Sequence, residues 1–415
     1  MNPVRPEVPA GQAFSMIMLS DTQYPWYELG DVKYCSSRKD IENPDDCGKR
    51  EGKRTNREQL MAISKIGRLK WPAAVSTQPQ HQPAVEEPIA RAAGLVLNGD
   101  ITAFGRAWQF AGLSEIVRES NATLIANLEA DVNASGRVTV APYFGVFLGL
   151  GNHDYRNNVC DCQEGLTDYN SCARYSLDII RKTYSDVSWI AYDKCSKAYA
   201  FDIGGYRFIQ LHLYPGYEAD LGYWESGGAG IFGEADACKK VATRFAPEQR
   251  LRNDRDCDGN WAVFHSWDWL KAQVEEAESQ NKWSILLYHA PGPELEGNQH
   301  FKVHRTYAYW SPAEEERLKT FVKEHYVAAI FAGHLHSKHG QFKLLHNKAA
   351  YSVPVVLSGA SEYNTFVVAE FGAGYLRYGV ISSAGTETVD PSFLSQASGG
   401  LLSKRTFPAN VIVKR

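Results

Sequence analysis

Short apolar runs, each stopping at an acid, an amide or an imidazole, recur along this chain. Phe14-Ser-Met-Ile-Met-Leu-Ser runs into Asp21-Thr22-Gln23, and Gly94-Leu-Val-Leu-Asn-Gly ends at Asp100. The run from Tyr143 to Leu150 breaks at Gly149 and Gly151, then presents Asn152, His153 and Asp154 in a row. Trp283-Ser-Ile-Leu-Leu-Tyr ends at His289, and Val327-Ala-Ala-Ile-Phe-Ala-Gly ends at His334-Leu335-His336. Continuous apolar runs of this length suit strands buried on both faces. Ligands of open α/β sheets gather at the carboxyl ends of such strands. If the strands share one sheet, their ends deliver to one rim, besides His153 and Asp154, two Asp, one Gln, one Asn and three His, a donor set suited to hard or borderline divalent metals.

Between the runs the period changes to that of helices. Thr55-Asn-Arg-Glu-Gln-Leu-Met opens with cap residues and places Leu60, Ile63 and Ile66 at helical spacing. Residues 107–131 and 168–183 read as helices, and Trp267-Asp-Trp-Leu begins another that feeds the strand ending at His289. This alternation predicts sheets covered by helices. Tyr199 to His212 reads as a hairpin turning at Gly204-Gly205. Residues 213–262 are a long insertion, read as a lid or binding loop. Its formal G-x-G-x-x-G, Gly228 to Gly233, follows no strand and is discounted as a nucleotide fingerprint. The pattern predicts one domain over residues 1–415, with the insertion at about 213–262 and closing strands at about 350–382.

D-x-[H/Q], G-D, G-N-H-D, a lone His after a strand and G-H-x-H, in that order, resemble the calcineurin-like metallophosphoesterase superfamily, in a D-x-Q variant of its first motif. The resemblance implies a four-layer α/β/β/α sandwich: two packed mixed sheets flanked by helices. It implies that Asp21, Gln23 and His336 hold a first metal ion, that Asp100 bridges two ions, and that Asn152, His289 and His334 hold the second. His153 then faces the substrate phosphate, and Asp154 orients its ring. The implied reaction is hydrolysis of a small-molecule phosphate monoester or diester by a metal-activated water. A pyrophosphate hydrolase, a nuclease and a non-catalytic metal-binding scaffold are the rivals. The intact ligand set with His153 argues against the scaffold.

The chemistry agrees with the resemblance. Two ions roughly 3.5–4 Å apart need a shared carboxylate and can clamp an in-line phosphoryl displacement. A proton-donating His can stabilise the leaving oxygen. Gln23 stands where most members of the superfamily carry His, and a neutral amide is the weaker ligand. That favours Mn2+ as the ion, with iron, Zn2+ or Mg2+ as alternatives. The Asp-Arg-Gly of Ser/Thr protein phosphatases is absent, and Ala103 stands where purple acid phosphatases carry a ligand Tyr.

Composition narrows the picture less. With 415 residues, 44% of them hydrophobic and 22% charged, the chain can bury a real core. A net charge of −4 argues against a nucleic-acid partner. No apolar stretch is long enough to span a membrane, and no signal peptide is read at the start. The eight cysteines cluster locally, which predicts disulfides Cys35–Cys47 and Cys238–Cys257, each bracketing one loop. Free thiols, or a zinc on Cys160, Cys162 and Cys172, are the alternatives. The cysteines point to a secreted or periplasmic protein, with the cytoplasm as the alternative. Lys49, Arg50, Lys53, Arg54 and Arg57 read as a solvated face rather than an anion site, His212 as a structural or rim residue, and His300 and His304 as residues within reach of phosphate.

Overall fold

The computed structural model describes residues 4–9, 11–24, 44–63, 66, 69–71, 87–103, 105–119, 145–156, 158, 170–221, 257, 262–292, 310–336, 339–348, 352–373 and 375–382. The described strands, in chain order, are β1 (Phe14–Leu19), β2 (Lys70–Trp71), β3 (Glu87–Pro88), β4 (Ala92–Asn98), β5 (Gly145–Gly149), β6 (Ile190–Tyr192), β7 (Tyr199–Ile203) and β8 (Tyr206–Gln210). They continue as β9 (Ala219–Asp220), β10 (Ala262–Val263), β11 (Trp283–Leu287), β12 (Val327–Ala332), β13 (His339–His346), β14 (Ser352–Ser358), β15 (Thr365–Gly372) and β16 (Tyr375–Ser382). The helices are α1 (Pro44–Ile63), α2 (residues 107–119), α3 (Ser171–Tyr184), α4 (Trp267–Ser279) and α5 (Pro312–Glu324).

The apolar runs are the central strands of two sheets. One sheet runs β16-β15-β1-β4-β5, with β1, β4 and β5 parallel and β15 and β16 antiparallel on one side. The other runs β13-β14-β12-β11-β8-β7-β6, with β14, β12, β11 and β8 parallel. Every residue of β1, β11, β12 and β15 is buried, which is why these runs show no polar alternation. The two sheets pack face to face through aromatic rings. Phe147 on β5 stacks on Phe201 of β7 at 3.8 Å, and Phe371 on β15 meets Phe208 of β8 edge-on at 5.2 Å. Each such ring contributes on the order of 1.5–3 kcal/mol by leaving water.

Helices cover the outer faces. On the first sheet, Gln59 of α1 donates to the carbonyl of Thr365 on β15 at 2.9 Å. On the second, α4 packs on β8 and β11, and Trp267 of α4 contacts Phe321 of α5. The architecture is the expected α/β/β/α sandwich. Among the described residues, no helix is long and apolar enough to cross a membrane.

Two expectations change. Thr55 and Asn56 do not cap a helix; they lie inside α1, buried, because its inner face makes polar contacts with the first sheet's loops. Cys257 bonds to Cys195, in the β6–β7 connection, and not to Cys238. Their Cα atoms stand 4.8 Å apart although 62 residues separate them, so the spacing along the chain gave no hint of the pair. Cys47 and Cys172 are also disulfide-bonded, which removes Cys172 from a zinc site. Cys35, Cys160, Cys162, Cys238, His300, His304 and most of the 213–262 insertion lie outside the described residues. The antiparallel pairing of β9 with β10 joins the two ends of that insertion.

Candidate metal centre

Parallel strands deliver the polar residues to one rim. Asp21 and Gln23 follow β1, Asp100 follows β4, and Asn152, His153 and Asp154 follow β5 in a single π-type turn. From the other sheet, His289 follows β11, and His334 and His336 follow β12. The backbone turns sharply at the exits of β1, β4 and β12. Asp21, Gln23, Asp100 and His334 all take left-handed φ values, of 52°, 37°, 49° and 72°. Such conformations cost side-chain-bearing residues about 1–3 kcal/mol each and persist where surrounding contacts enforce them. Here the backbone amides of Asp21 and Gln23 are held by the carbonyls of Gly99 and Asp100, at 3.0 and 2.9 Å. Two motif glycines have a steric reason: a Cβ on Gly99 would stand 2.5 Å from His289 Nδ1, and one on Gly151 would stand 2.2 Å from Asp100 Oδ1.

The side chains form two triads with a shared member. Asp100, His289 and His334 offer ligand atoms that all lie within 4.8 Å of one another, and so do Asp21, Asp100 and His336. His289 Nε2 is 3.1 Å from Asp100 Oδ2, and His336 Nε2 is 3.2 Å from Asp21 Oδ1. The Gln23 amide reaches into the same space, its nitrogen 3.3 Å from Asp100 Oδ2 and 3.0 Å from His336 Nε2. Three buried atoms there make no well-directed hydrogen bond among the described residues: Asn152 Oδ1, His289 Nε2, which lies beside Asp100, and Asp21 Oδ1, which lies beside His336. Buried polar atoms are almost always paired. Three orphans from three separate loops, converging on shared carboxylates, fit a set of cations, so the residues present suit the divalent ions that the motifs imply.

The model of the calcineurin-like phosphoesterase family matches residues 84–338, more than half of the chain. The chain belongs to that family. The phosphoesterase is therefore a metal-dependent hydrolase of phosphate esters, and its two triads accommodate two divalent ions. Among solved structures it is similar to a dimetal phosphatase from Danio rerio, at 14% identity and a TM-score of 0.38 over 92% of this chain and 98% of that one. It is also similar to a 5'-nucleotidase precursor from Thermus thermophilus, at 11% identity and a TM-score of 0.41 over 93% of this chain and 57% of that one. No curated protein matches it.

Neighbouring groups in the phosphoesterase set the orientation and charge of these side chains. His289 Nδ1 lies 3.0 Å from the carbonyl oxygen of Asn98. A carbonyl only accepts, so Nδ1 carries a hydrogen and Nε2 is the nitrogen turned toward the carboxylates. Burial favours a neutral His289, but Asp100 and Asp21 overcome it and raise its pKa to about 9 in the metal-free chain. His334 goes the other way, to about 3, through burial and the charge of His289. Burial opposes ionisation of Asp100, yet His289 and His153 hold its pKa below the ordinary carboxylate value.

His153 and Asp154 part ways. The backbone amide of His153 donates to Asp100 Oδ1 at 2.8 Å, while its half-buried ring turns so that Nδ1 meets the Ala103 carbonyl at 3.1 Å. Nδ1–H thus donates to a carbonyl and Nε2 is the outer nitrogen. Asp154 is spent on the turn itself. Its oxygens accept from the amides of Ile101 (3.0 Å), Thr102 (2.9 Å) and Gly151 (2.9 Å) and from the Thr102 hydroxyl (3.0 Å). The expectation that Asp154 orients the imidazole gives way to a different division: Ala103 holds ring Nδ1, and Asp154 ties the G-N-H-D turn to the loop after Asp100. Its pKa is pushed up to about 7 by burial and by the Asp100 charge, against those donors.

Other sequence readings resolve plainly. His212 is buried between elements: Nε2–H donates to the Lys197 carbonyl (2.7 Å), and Nδ1 accepts from the Leu150 amide (3.2 Å). It is structural. The basic run on α1 is engaged by acids: Arg54 with Glu51 and Glu58, Lys53 with Glu115, and Arg57 with Glu119. Sequence reasoning missed Asn98, a fully buried amide whose Nδ2 donates to the carbonyls of Tyr288 (2.9 Å) and Phe331 (2.8 Å) in the opposite sheet. The available signal was an Asn closing an otherwise apolar run.

Proposed function

We propose that this phosphoesterase hydrolyses a small phosphate monoester or diester with two Mn2+ ions, one held by Asp21, Gln23, Asp100 and His336 and the other by Asp100, Asn152, His289 and His334. The observation that carries this reading is Asp100 as the common member of both triads. Bound there, the ions supply positive charge that polarises phosphoryl oxygens and acidifies a water. The chain's residues do the rest. Asp100 joins the two half-sites, and the Asn98 carbonyl keeps His289 Nε2 facing inward. His153, anchored at Nδ1 by Ala103, presents Nε2 to the leaving oxygen, where its protonated form donates a proton. Gln23, an amide in place of an imidazole, supports Mn2+ over Zn2+. The Cys195–Cys257 disulfide supports residence in an oxidising compartment.

The test is a panel of phosphomonoesters, phosphodiesters and nucleoside diphosphates assayed with Mn2+, Mg2+ or Zn2+ added to metal-free protein. Turnover of mono- or diesters that is highest with Mn2+ is expected. Turnover confined to the diphosphates would move the assignment to pyrophosphate hydrolysis.

A further inference from the structure

Helix α1 carries a buried polar face for which its own helix has no use. Asn56 and Gln59 are 1% and 0% exposed, and both sit mid-helix, where Asn is a poor helix former. Asn56 Nδ2 donates to the carbonyl of Gly52 (2.9 Å) and to that of Thr22 (3.1 Å). Thr22 is the residue between Asp21 and Gln23, both of which take left-handed φ values. The same loop is gripped on its other sides. Thr22 Oγ1 donates to the Ile101 carbonyl (2.7 Å), and the Ser361 amide approaches the Asp21 carbonyl (3.4 Å). Ser361 in turn fixes α1, its hydroxyl contacting Asn56 Oδ1 (3.1 Å) and Gln59 Oε1.

We infer that Asn56 is a positioning residue for the first metal half-site: it holds the Thr22 carbonyl so that Asp21 and Gln23 keep the strained backbone that turns their side chains toward His336. This inference rests on the two-ion reading above. Thr22 is buried, and without the Asn56 amide its carbonyl loses the donor that α1 provides. A loop with two left-handed residues would then relax toward ordinary φ and swing Asp21 and Gln23 out of register with His336. The second half-site is built on β4, β5, β11 and β12; it shares Asp100 with the first and touches this loop where the His334 amide donates to Asp21 Oδ2 (2.9 Å), so it should be weakened less than the first. Outer partners of metal ligands commonly change affinity by about 10–100-fold when removed.

The test titrates metal-free full-length protein with Mn2+ by calorimetry and follows the electron paramagnetic resonance of the bound ions. Asp21→Asn and Asn152→Ala serve as references for loss at either half-site. Asn56→Asp keeps the shape and the acceptor for Ser361 but removes the donor. It is expected to weaken the ion lost in Asp21→Asn by about 10–100-fold, to weaken the other distinctly less, and to replace a spin-coupled pair signal with that of an isolated ion. Ser361→Ala should act in the same direction more mildly, and it stands in if Asn56→Asp does not fold. Leu60→Ala, a buried apolar change on the same helix, should lower the unfolding temperature without separating the two affinities. Equal weakening of both ions in Asn56→Asp, or no change in either, overturns the inference. A wild type that takes up a single ion overturns the two-ion reading and this inference with it.

Discussion

Asn98, at the end of β4 in the first sheet, donates its side-chain amide to the carbonyl of Phe331, 2.8 Å away on β12 in the second. The same Nδ2 also reaches Tyr288, and the Asn98 backbone carbonyl orients His289. One residue therefore joins the sheets at the base of the site. Asn98→Ala strips two buried carbonyls of a donor, and each such loss costs about 1–3 kcal/mol. Urea unfolding of the metal-free protein should show a loss of roughly 2–6 kcal/mol. Asn98→Asp should be at least as harmful at neutral pH and should recover in part as the pH falls and the carboxyl regains a proton. A neutral effect for either would mean that another group satisfies those carbonyls.

Asp100→Asn should cut bound Mn2+ from about two ions per chain to one or fewer, because the amide can no longer offset two cations. Elemental analysis after loading and desalting decides it. A variant that keeps both ions would remove Asp100 from its bridging role.

His153→Asn should retain both ions and slow alkyl phosphate esters by about 10²–10⁴. The loss should be smaller for p-nitrophenyl esters, whose leaving group departs without a proton. Equal losses for the two classes would rule out the acid role.

His212 sets a pH dependence of stability. Its folded pKa is lowered to about 4, chiefly by burial, while the unfolded chain titrates near 6.5. The unfolded state thus binds more protons across that window, so stability is fully present above 6.5 and falls as the pH drops toward 4. From pH 7 to 5 the loss from this residue should be about 2 kcal/mol. His212→Gln should be less stable at pH 7 but should show a flatter slope; an unchanged slope would assign the acid sensitivity elsewhere.

Peptide mapping without reductant should recover a linked fragment containing Cys195 and Cys257. A Cys238–Cys257 link would contradict the pairing described above.

The parts legible in the sequence were those with chemistry or periodicity of their own. Strands buried on both faces are apolar at nearly every position, and candidate metal-binding side chains are conspicuous where such runs stop. This made β1, β4, β5, β11 and β12 readable along with the residues beyond them. What escaped depends on contacts distant in sequence. Asn56 looks like a cap by propensity and becomes a mid-helix residue only because Thr22 and Ser361 lie against it. Asp154 stands next to His153 in the sequence, but the turn folds its carboxylate back onto the amides of Ile101, Thr102 and Gly151. The partner of Cys257 lies beyond the loop that local spacing suggested.

The two triads divide by sheet: their carboxylates follow β1 and β4, and their imidazoles follow β11 and β12. A nascent chain therefore carries no usable half of the chemistry. Until residue 336 has left the ribosome and the second sheet has docked on the first, Asp21 and Asp100 have no histidine from β12 to meet. Turnover can begin only when both sheets are made and docked, and a product cut short before β12, or half-folded, stays silent.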